Sequence, residues 1–121
     1  MAVVAYPGNL QTAQTGNADS TNTIQRSGSD ANMRQVVLRI VSTIGATPTV
    51  TVKIRGSQDG TNFWDIPYSP LGAAPGDWTT AALVITTATT ALYTLWPNGP
   101  WTFIKLVMTL NTNVTLTSDI L

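Results

Sequence analysis

The sequence contains no cysteine, no histidine and no glutamate. Without cysteine the chain cannot form a disulfide, a thiolate metal site or a thiol nucleophile. Without histidine it lacks the commonest acid–base catalyst and the commonest nitrogen ligand for metals. These absences exclude most enzyme chemistry, so we expect a protein that is not an enzyme and that requires no metal or other cofactor.

Charge is scarce as well. Charged residues make up 10% of the 121 residues, and the formal net charge is zero, whereas about a quarter of an average chain is charged. Threonine alone occurs 21 times, so uncharged polar groups must cover much of the surface. Because little charge repulsion would keep such molecules apart, we expect a subunit that associates with copies of itself.

Long apolar runs are missing too. Uninterrupted apolar runs such as Ala81 to Ile85 are short, far below the roughly 20 residues that a membrane-spanning helix needs. No lysine or arginine precedes the short apolar stretch Ala2 to Ala5, which is not the pattern of a secretory signal peptide. We therefore expect no signal peptide and no membrane partner.

The apolar residues that are present are unevenly distributed. Leu, Ile, Val and Phe fill 4 of the 33 positions before Arg34 and 26 of the 88 positions from there on. A segment so poor in apolar area cannot offset its own ordering entropy. We therefore predict a polar N-terminal arm, residues 1–32, and a β-sandwich domain, residues 33–121. The arm either lies across a neighbouring surface or forms a strand pair on its own domain, and the sequence leaves both possibilities open.

The remainder of the chain has the periodicity of β-strands. Residues 35–44 are rich in β-branched side chains, and apolar residues alternate with polar ones in 48–55 and 101–110. No segment has sustained helical spacing. The sequence predicts an all-β fold, either an antiparallel, jelly-roll-like β-sandwich or a small barrel. Turn residues predict three hairpins, around Gly45–Pro48, between residues 81–86 and 91–96, and at Asn98-Gly99.

The most distinctive segment begins at Ser57 and continues Gln-Asp-Gly-Thr-Asn-Phe-Trp-Asp. Gly60 supplies the residue that a turn needs at positive φ, and Ser57 and Asp59 can hydrogen-bond back to the turn backbone. Asp59, Asn62 and Asp65 would make only a thin ligand set for calcium. We therefore predict a structural turn, pinned by the aromatic residues that follow it, rather than a metal or catalytic site.

The pattern Ser-x-Asp-Gly-x-x-aromatic resembles a segment of small β-sandwich proteins from tailed-phage virions, and a similar segment occurs in discoidin-like carbohydrate-binding domains. In both groups tryptophan directly follows the Asn-like position, whereas here Phe63 stands there and Trp64 comes one residue later. The resemblance implies a capsid decoration or cement protein of a bacteriophage, made in the host cytoplasm and located on the capsid surface of the virion. Its implied partners are the major capsid protein and copies of itself, as a homotrimer. The alternatives are a tail, neck or head-fibre component and a carbohydrate-binding module.

Two sets of side chains are candidate contact residues. Four tryptophans lie next to predicted turns, where they could stack on a sugar ring or contact a partner: Trp64, Trp78, Trp96 and Trp101. The structural alternative is that Trp96 and Trp101 pair across a hairpin while Trp78 covers one end of the core.

Basic residues are the second set. Residues 26–55 carry a net charge of +4 and residues 56–121 a net charge of −3, an arrangement that suits charge complementarity between subunits. The candidates for such contacts are Arg26, Arg34, Arg39, Lys53 and Arg55. No aromatic residue lies between them, as a single-strand binder would require, so nucleic acid is not a predicted partner.

Overall fold

A computed structural model describes residues 2–26, 36–71, 77–96 and 101–121. These residues form nine β-strands and contain no helix, which confirms the predicted all-β class. The strands are β1 (Ala2–Ala5), β2 (Gly8–Gln14), β3 (Asn22–Gln25), β4 (Val36–Ser57), β5 (Trp64–Asp65), β6 (Tyr68–Pro70), β7 (Leu83–Ile85), β8 (Thr89–Leu95) and β9 (Phe103–Ile120).

Two long strands organise the fold. β4 has 22 residues and β9 has 18, and they pair antiparallel from Leu38 opposite Ile120 to Ser57 opposite Phe103. We call this pair the ribbon. Its register shifts between Ile44 and Thr51 of β4, where the ribbon bends. The hairpin predicted around Gly45–Pro48 is therefore wrong, because β4 continues through this segment while it stays paired with β9.

The bend folds the ribbon onto itself. The side-chain nitrogen of Gln11 lies 3.5 Å from Met108 Sδ and 3.2 Å from the Ser118 hydroxyl oxygen. Ten residues of straight strand would separate Met108 from Ser118 by about 33 Å, so β9 doubles back between them. The two halves of the ribbon face each other as β-sandwich-like layers, and the sheet does not close into a barrel.

The core lies between these two layers. Even-numbered positions of both long strands point into it, as the two-residue repeat of a strand requires. The fully buried apolar residues of the ribbon are Val36, Leu38, Ile40, Val50, Val52, Ile54, Ile104, Leu106, Met108, Val114, Leu116 and Ile120.

Short strands widen each half of the ribbon. The first half of β4 pairs with β8, which pairs in turn with β6, and the second half of β4 pairs with β7 and β5. The predicted hairpin between residues 81–86 and 91–96 is therefore wrong, because β7 and β8 both pair with β4. The predicted Asn98-Gly99 turn lies outside the described residues, but the strands on either side of it, β8 and β9, also pair with β4.

The described part of the predicted arm, residues 2–26, folds onto this same sheet. β2 pairs antiparallel with the second half of β9, β3 pairs antiparallel with the first half, and β1 runs parallel to β3. Leu10 and Ile24 are completely buried. Of the two arrangements that the sequence leaves open, these residues adopt strands on their own domain, and the β1–β3 pair makes the sheet mixed rather than purely antiparallel.

Candidate functional site

The turn that follows β4 is held by its own side chains. Ser57 Oγ accepts the N–H groups of Asp59 and Gly60 at 3.2 and 2.9 Å and donates to Asp59 Oδ1 at 2.8 Å. Asp59 Oδ1 also accepts the N–H groups of Thr61 and Asn62 at 2.8 and 2.9 Å, and Oδ2 accepts Asn62 Nδ2 at 2.9 Å. Gly60 has a φ of 79°, which glycine adopts readily. The predicted turn is confirmed, but its own side chains hold it, and Trp64, one of the aromatic residues expected to pin it, is exposed.

These donors determine the chemistry of Asp59. The backbone N–H groups of Asn62 and Thr61, together with the side chains of Asn62 and Ser57, hold the pKa of the Asp59 carboxyl well below its ordinary value of 3.8. A cation at Asp59 would have to displace those donors from both oxygens. Within the described ranges, no three acidic, histidine or cysteine residues are grouped closely enough to hold a metal ion.

Carboxylates on the strands form ion pairs with basic residues of the same chain. The cross-strand register places Arg39 directly opposite Asp119 and Arg55 directly opposite Asp65. The nitrogen–oxygen distances are 2.9 Å for Arg39–Asp119, 3.3 Å for Lys53–Asp65, 3.2 Å for Arg55–Asp65 and 2.7 Å for Lys105–Asp19. The charge segregation seen along the sequence therefore disappears in three dimensions, because antiparallel pairing brings basic and acidic segments side by side.

This pairing bears on the five basic residues that the sequence suggested for contacts between subunits. Arg39, Lys53 and Arg55 are engaged within the chain. Arg26 is only 4% exposed, and Arg34 lies outside the described residues. The geometry brings none of the four described residues to the surface as an unengaged cation.

The four tryptophans lie in different surroundings. Trp78 and Trp96 meet edge to face, with ring centroids 5.1 Å apart and planes at 88°. The predicted pairing of Trp96 with Trp101 is therefore wrong, since Trp78 takes that place. An edge-to-face pair has no common flat surface on which a sugar ring could stack.

Trp101 and Trp64 lie on either side of Gly56. A Cβ atom at Gly56 would be 2.6 Å from the Trp101 ring, so this ring packs directly on the backbone of β4. Trp101 Nε1 is buried and has no hydrogen-bond partner among the described residues. Trp64 is paired opposite Gly56 and is 58% exposed. Trp64 is thus the tryptophan most open to a ligand or partner.

The bend of the ribbon is a second unusual place, and sequence reasoning missed it. Thr47, Leu110 and Asn113 have φ values of 48°, 54° and 53°, in the left-handed region that costs a residue with a side chain about 1–2 kcal/mol. Leu110 is also 74% exposed, and Ile44, which lies opposite Val114 on the other strand, is exposed as well. Gly45, Asn111 and Asn113 mark this place in the sequence. Their pattern predicts a hairpin around Gly45–Pro48 and a turn at residues 111–113, whereas β4 and β9 each continue through the bend.

An open groove of about 410 Å³ lies at this bend, lined by Thr15, Thr43, Ile44, Gly45, Asn111, Asn113, Val114 and Thr115. The side-chain amides of two asparagines in the groove donate hydrogen bonds to backbone carbonyl oxygens. Asn111 Nδ2 donates to the carbonyl oxygens of Thr15 and Val114, both at 2.8 Å, and Asn113 Nδ2 donates to that of Ala46 at 2.6 Å. These asparagines stabilise the bend, and no charged side chain lines the groove.

Comparison of the chain with protein-family models, with curated proteins and with solved structures finds no match in any of the three. In the ranges that the structure describes, no helix has the length and apolar character needed to cross a membrane.

Proposed function

We propose that this chain is a structural subunit of a tailed-bacteriophage virion, a decoration or cement protein on the capsid surface that binds the major capsid protein and copies of itself. The observation that carries the proposal is the contrast between engaged charges and exposed apolar groups. Asp19, Asp65 and Asp119 are engaged in ion pairs within the chain. Among the described residues, the large apolar side chains that remain exposed are Val3, Ile44, Trp64, Leu71, Val84, Leu110 and Leu121.

Such a surface favours contacts made by shape and by burial of apolar area, each Å² of which contributes about 25 cal/mol. The proposed role needs no bond-making chemistry. It needs a fixed shape, which the ribbon provides because each half is bonded on both sides. The resemblance of the Ser57–Trp64 segment to those of phage β-sandwich proteins supports the same role.

Cosedimentation with capsids tests the proposal. The purified chain should bind heads of the phage whose genome encodes it, with saturable stoichiometry. Because screening acts on exposed charges, binding through uncharged contacts should change little between low and high salt. Val84→Lys, which puts a charge on an exposed apolar position, should weaken binding if β7 contacts the head. Asp77→Lys, an exposed polar position, is the matched control.

Absence of binding to the heads would contradict the proposal. Electron microscopy of the native particle would then show whether the chain is instead a tail, neck or head-fibre component.

A carbohydrate-binding module is the second candidate, and the exposure of Trp64 is the observation that favours it. A glycan array with the wild-type chain and with Trp64→Ala tests this candidate. Binding that requires Trp64, together with no binding to heads, would favour the module over the virion subunit. Trp78→Ala is the control for a general loss of aromatic surface.

A further inference from the structure

β1 is a sheet edge without the usual protection. Proteins normally blunt an edge strand with charge, proline, a bulge, a short length or a covering segment. β5 carries Asp65 in two ion pairs, and β7 has only three residues. β6 includes Pro70 and is covered at Tyr68, which exchanges two backbone hydrogen bonds with Thr79 at 2.9 and 3.0 Å. β2 has register shifts along its pairing with β9.

β1 is short as well, with four residues, but among the described residues it shows no charge, no proline, no register shift and no covering segment. Its four residues, Ala-Val-Val-Ala, contain no charge and no proline, and its register with β3 is uninterrupted. Val3 is 58% exposed. Among the strands described, β1 stands at one end of the sheet order, with β3 as its only paired neighbour.

The hydrogen bonds of β1 show which of its backbone groups are unused. The N–H of Ala2 donates to the carbonyl of Thr21 at 3.3 Å, and the N–H of Tyr6 donates to that of Gln25 at 2.9 Å. In a ladder, alternate residues direct both their N–H and their C=O toward the same neighbour. Ala2 and Tyr6, and Val4 between them, therefore face β3. Val3 and Ala5 direct their N–H and C=O groups toward the open edge.

We propose that β1 pairs with β1 of a second copy of the chain, antiparallel about a two-fold axis. This inference rests on the part of the proposed function that concerns self-association, and it does not depend on binding to the capsid. In this arrangement Val3 lies opposite Ala5 of the second copy, and the two residues exchange two hydrogen bonds through their outward N–H and C=O groups. The two-fold axis repeats this pair, so the contact contains four hydrogen bonds. Val4, which already packs against the core, then meets Val4 of the second copy on the core side of the sheet.

The absence of charge is what favours a second copy as the partner. A two-fold axis brings each residue close to its own counterpart, so a charged edge would repel itself. Residues 2–18 carry no charged side chain, which leaves this contact free of like-charge repulsion. The contact is also closed, because each β1 has a single open edge. It therefore yields dimers, in contrast to the homotrimer that the phage resemblance implies.

Val3→Pro tests the pairing directly. Proline removes the outward N–H of Val3, a loss that edge strands tolerate, and it leaves every β1–β3 hydrogen bond in place. Sedimentation equilibrium at micromolar concentrations should show a dimer for the wild type. Val3→Pro should weaken that dimer at least about tenfold, because two intermolecular hydrogen bonds are lost. Val3→Ala keeps the N–H and is the matched control, so it should dimerise almost normally.

Val3→Lys is the second variant in case proline perturbs folding. It places two positive charges near the two-fold axis, so its dimer should be weak at low salt and partly restored at high salt. A monomeric wild type, a trimer, or a Val3→Pro dimer as strong as that of Val3→Ala would each overturn the inference. If the wild type is monomeric but binds heads, this inference fails and the proposed binding to the capsid stands without it. If the wild type dimerises through β1 but binds no heads, this inference stands and the proposed binding to the capsid fails.

Discussion

In the β4–β9 ribbon every second side chain is apolar over long stretches and enters the core, whereas residues 2–26 contribute only Leu10 and Ile24 as fully buried apolar side chains. Polar contacts do much of the remaining work in this N-terminal segment. Asn9 Nδ2 donates to Asp119 Oδ1 at 2.9 Å, and Asn22 Nδ2 donates to the carbonyl of Asn9 at 3.0 Å. The comparison teaches that a polar segment becomes ordered when a long strand supplies partners for its backbone and amide groups.

The largest expected effect comes from deleting residues 1–26. The deletion would leave one edge of β9 without β2 and β3 and would uncover Met108, against which the Gln11 side chain lies. We expect the shortened chain to lose cooperative thermal unfolding or to aggregate. Circular dichroism melts beside the full-length chain measure this. A shortened chain with an unchanged unfolding midpoint would show that the N-terminal segment is only an appendage.

Replacing a single buried apolar residue should lower the free energy of unfolding by a similar amount in the N-terminal segment and in the ribbon. Leu10→Ala and Ile24→Ala in the N-terminal segment should each lower the free energy of unfolding by about 2–5 kcal/mol, as should Leu106→Ala in the ribbon. Val3→Ala, at an exposed position of the same segment, should change it by about 0.5 kcal/mol or less. Urea titrations measure all four. Costs for Leu10 and Ile24 as small as that of Val3 would contradict the inference that residues as fully buried as Leu106 contribute equally to stability in both regions.

Gln11 should respond differently from its neighbour Leu10. Its side chain is completely buried, its nitrogen bonds to Ser118, and its Oε1 has no partner among the described residues. Gln11→Met keeps the volume and removes that oxygen, so the lost hydrogen bond and the relieved oxygen should nearly cancel, to within about 1 kcal/mol. Urea titration measures the change. Gln11→Ala, which leaves a cavity, is the comparison and should cost clearly more.

The smallest expected effect is confined to the turn that contains Asp59, and lowering the pH should reveal it. The pKa of the Asp59 carboxyl is held below its ordinary value of 3.8 in the folded chain, so the unfolded chain binds the proton more tightly. The contribution of this carboxylate to stability is therefore fully present above a pH of about 3.8 and is lost progressively as the pH falls below that value. The amide signals of Thr61 and Asn62 should shift with pH in this acidic range, as followed by NMR.

Asp59→Asn should abolish that pH response at Thr61 and Asn62, since no titrating group remains to accept their N–H groups. Asp77→Asn, at an exposed position outside the turn, should leave it unchanged. An identical acid response in the wild type and in Asp59→Asn would mean that another group controls the turn. The hydrogen bond from Asn22 to the backbone carbonyl of Asn9, which involves no titrating group, should persist through the same range.

The strand content and the Ser57–Asn62 turn could be predicted because their signals are local. Alternation identifies residues 50–54 and 104–108 as facing the core, and Asp59 and Gly60 specify their turn by side-chain chemistry and φ. The pairing of strands could not be predicted in this way. Residues such as Gly45 and Asn113 indicate a change of direction, but they do not indicate that the chain will bend within a paired ribbon instead of reversing into a hairpin.

For the candidate site residues, too, local sequence patterns predict some features, while others depend on how the strands pair. The sequence correctly places the basic residues and the carboxylates on separate segments, but only the β4–β9 and β4–β5 registers reveal that Arg39 meets Asp119 and Arg55 meets Asp65. Trp96 pairs with Trp78 because β6 and Thr79 bring their segments together across the sheet. Contacts between residues far apart in the chain depend on tertiary pairing, which a local pattern does not encode.

The placement of β2 and β3 against β9 has a consequence for how the molecule is made. A ribosome releases the N-terminal strands first, at about 5–20 residues per second, yet the strand with which they pair includes residue 120 and emerges last. β2 and β3 therefore remain without their partner until residues 103–120 have been synthesised. The two N-terminal strands can take their places in the sheet only after β9 has emerged.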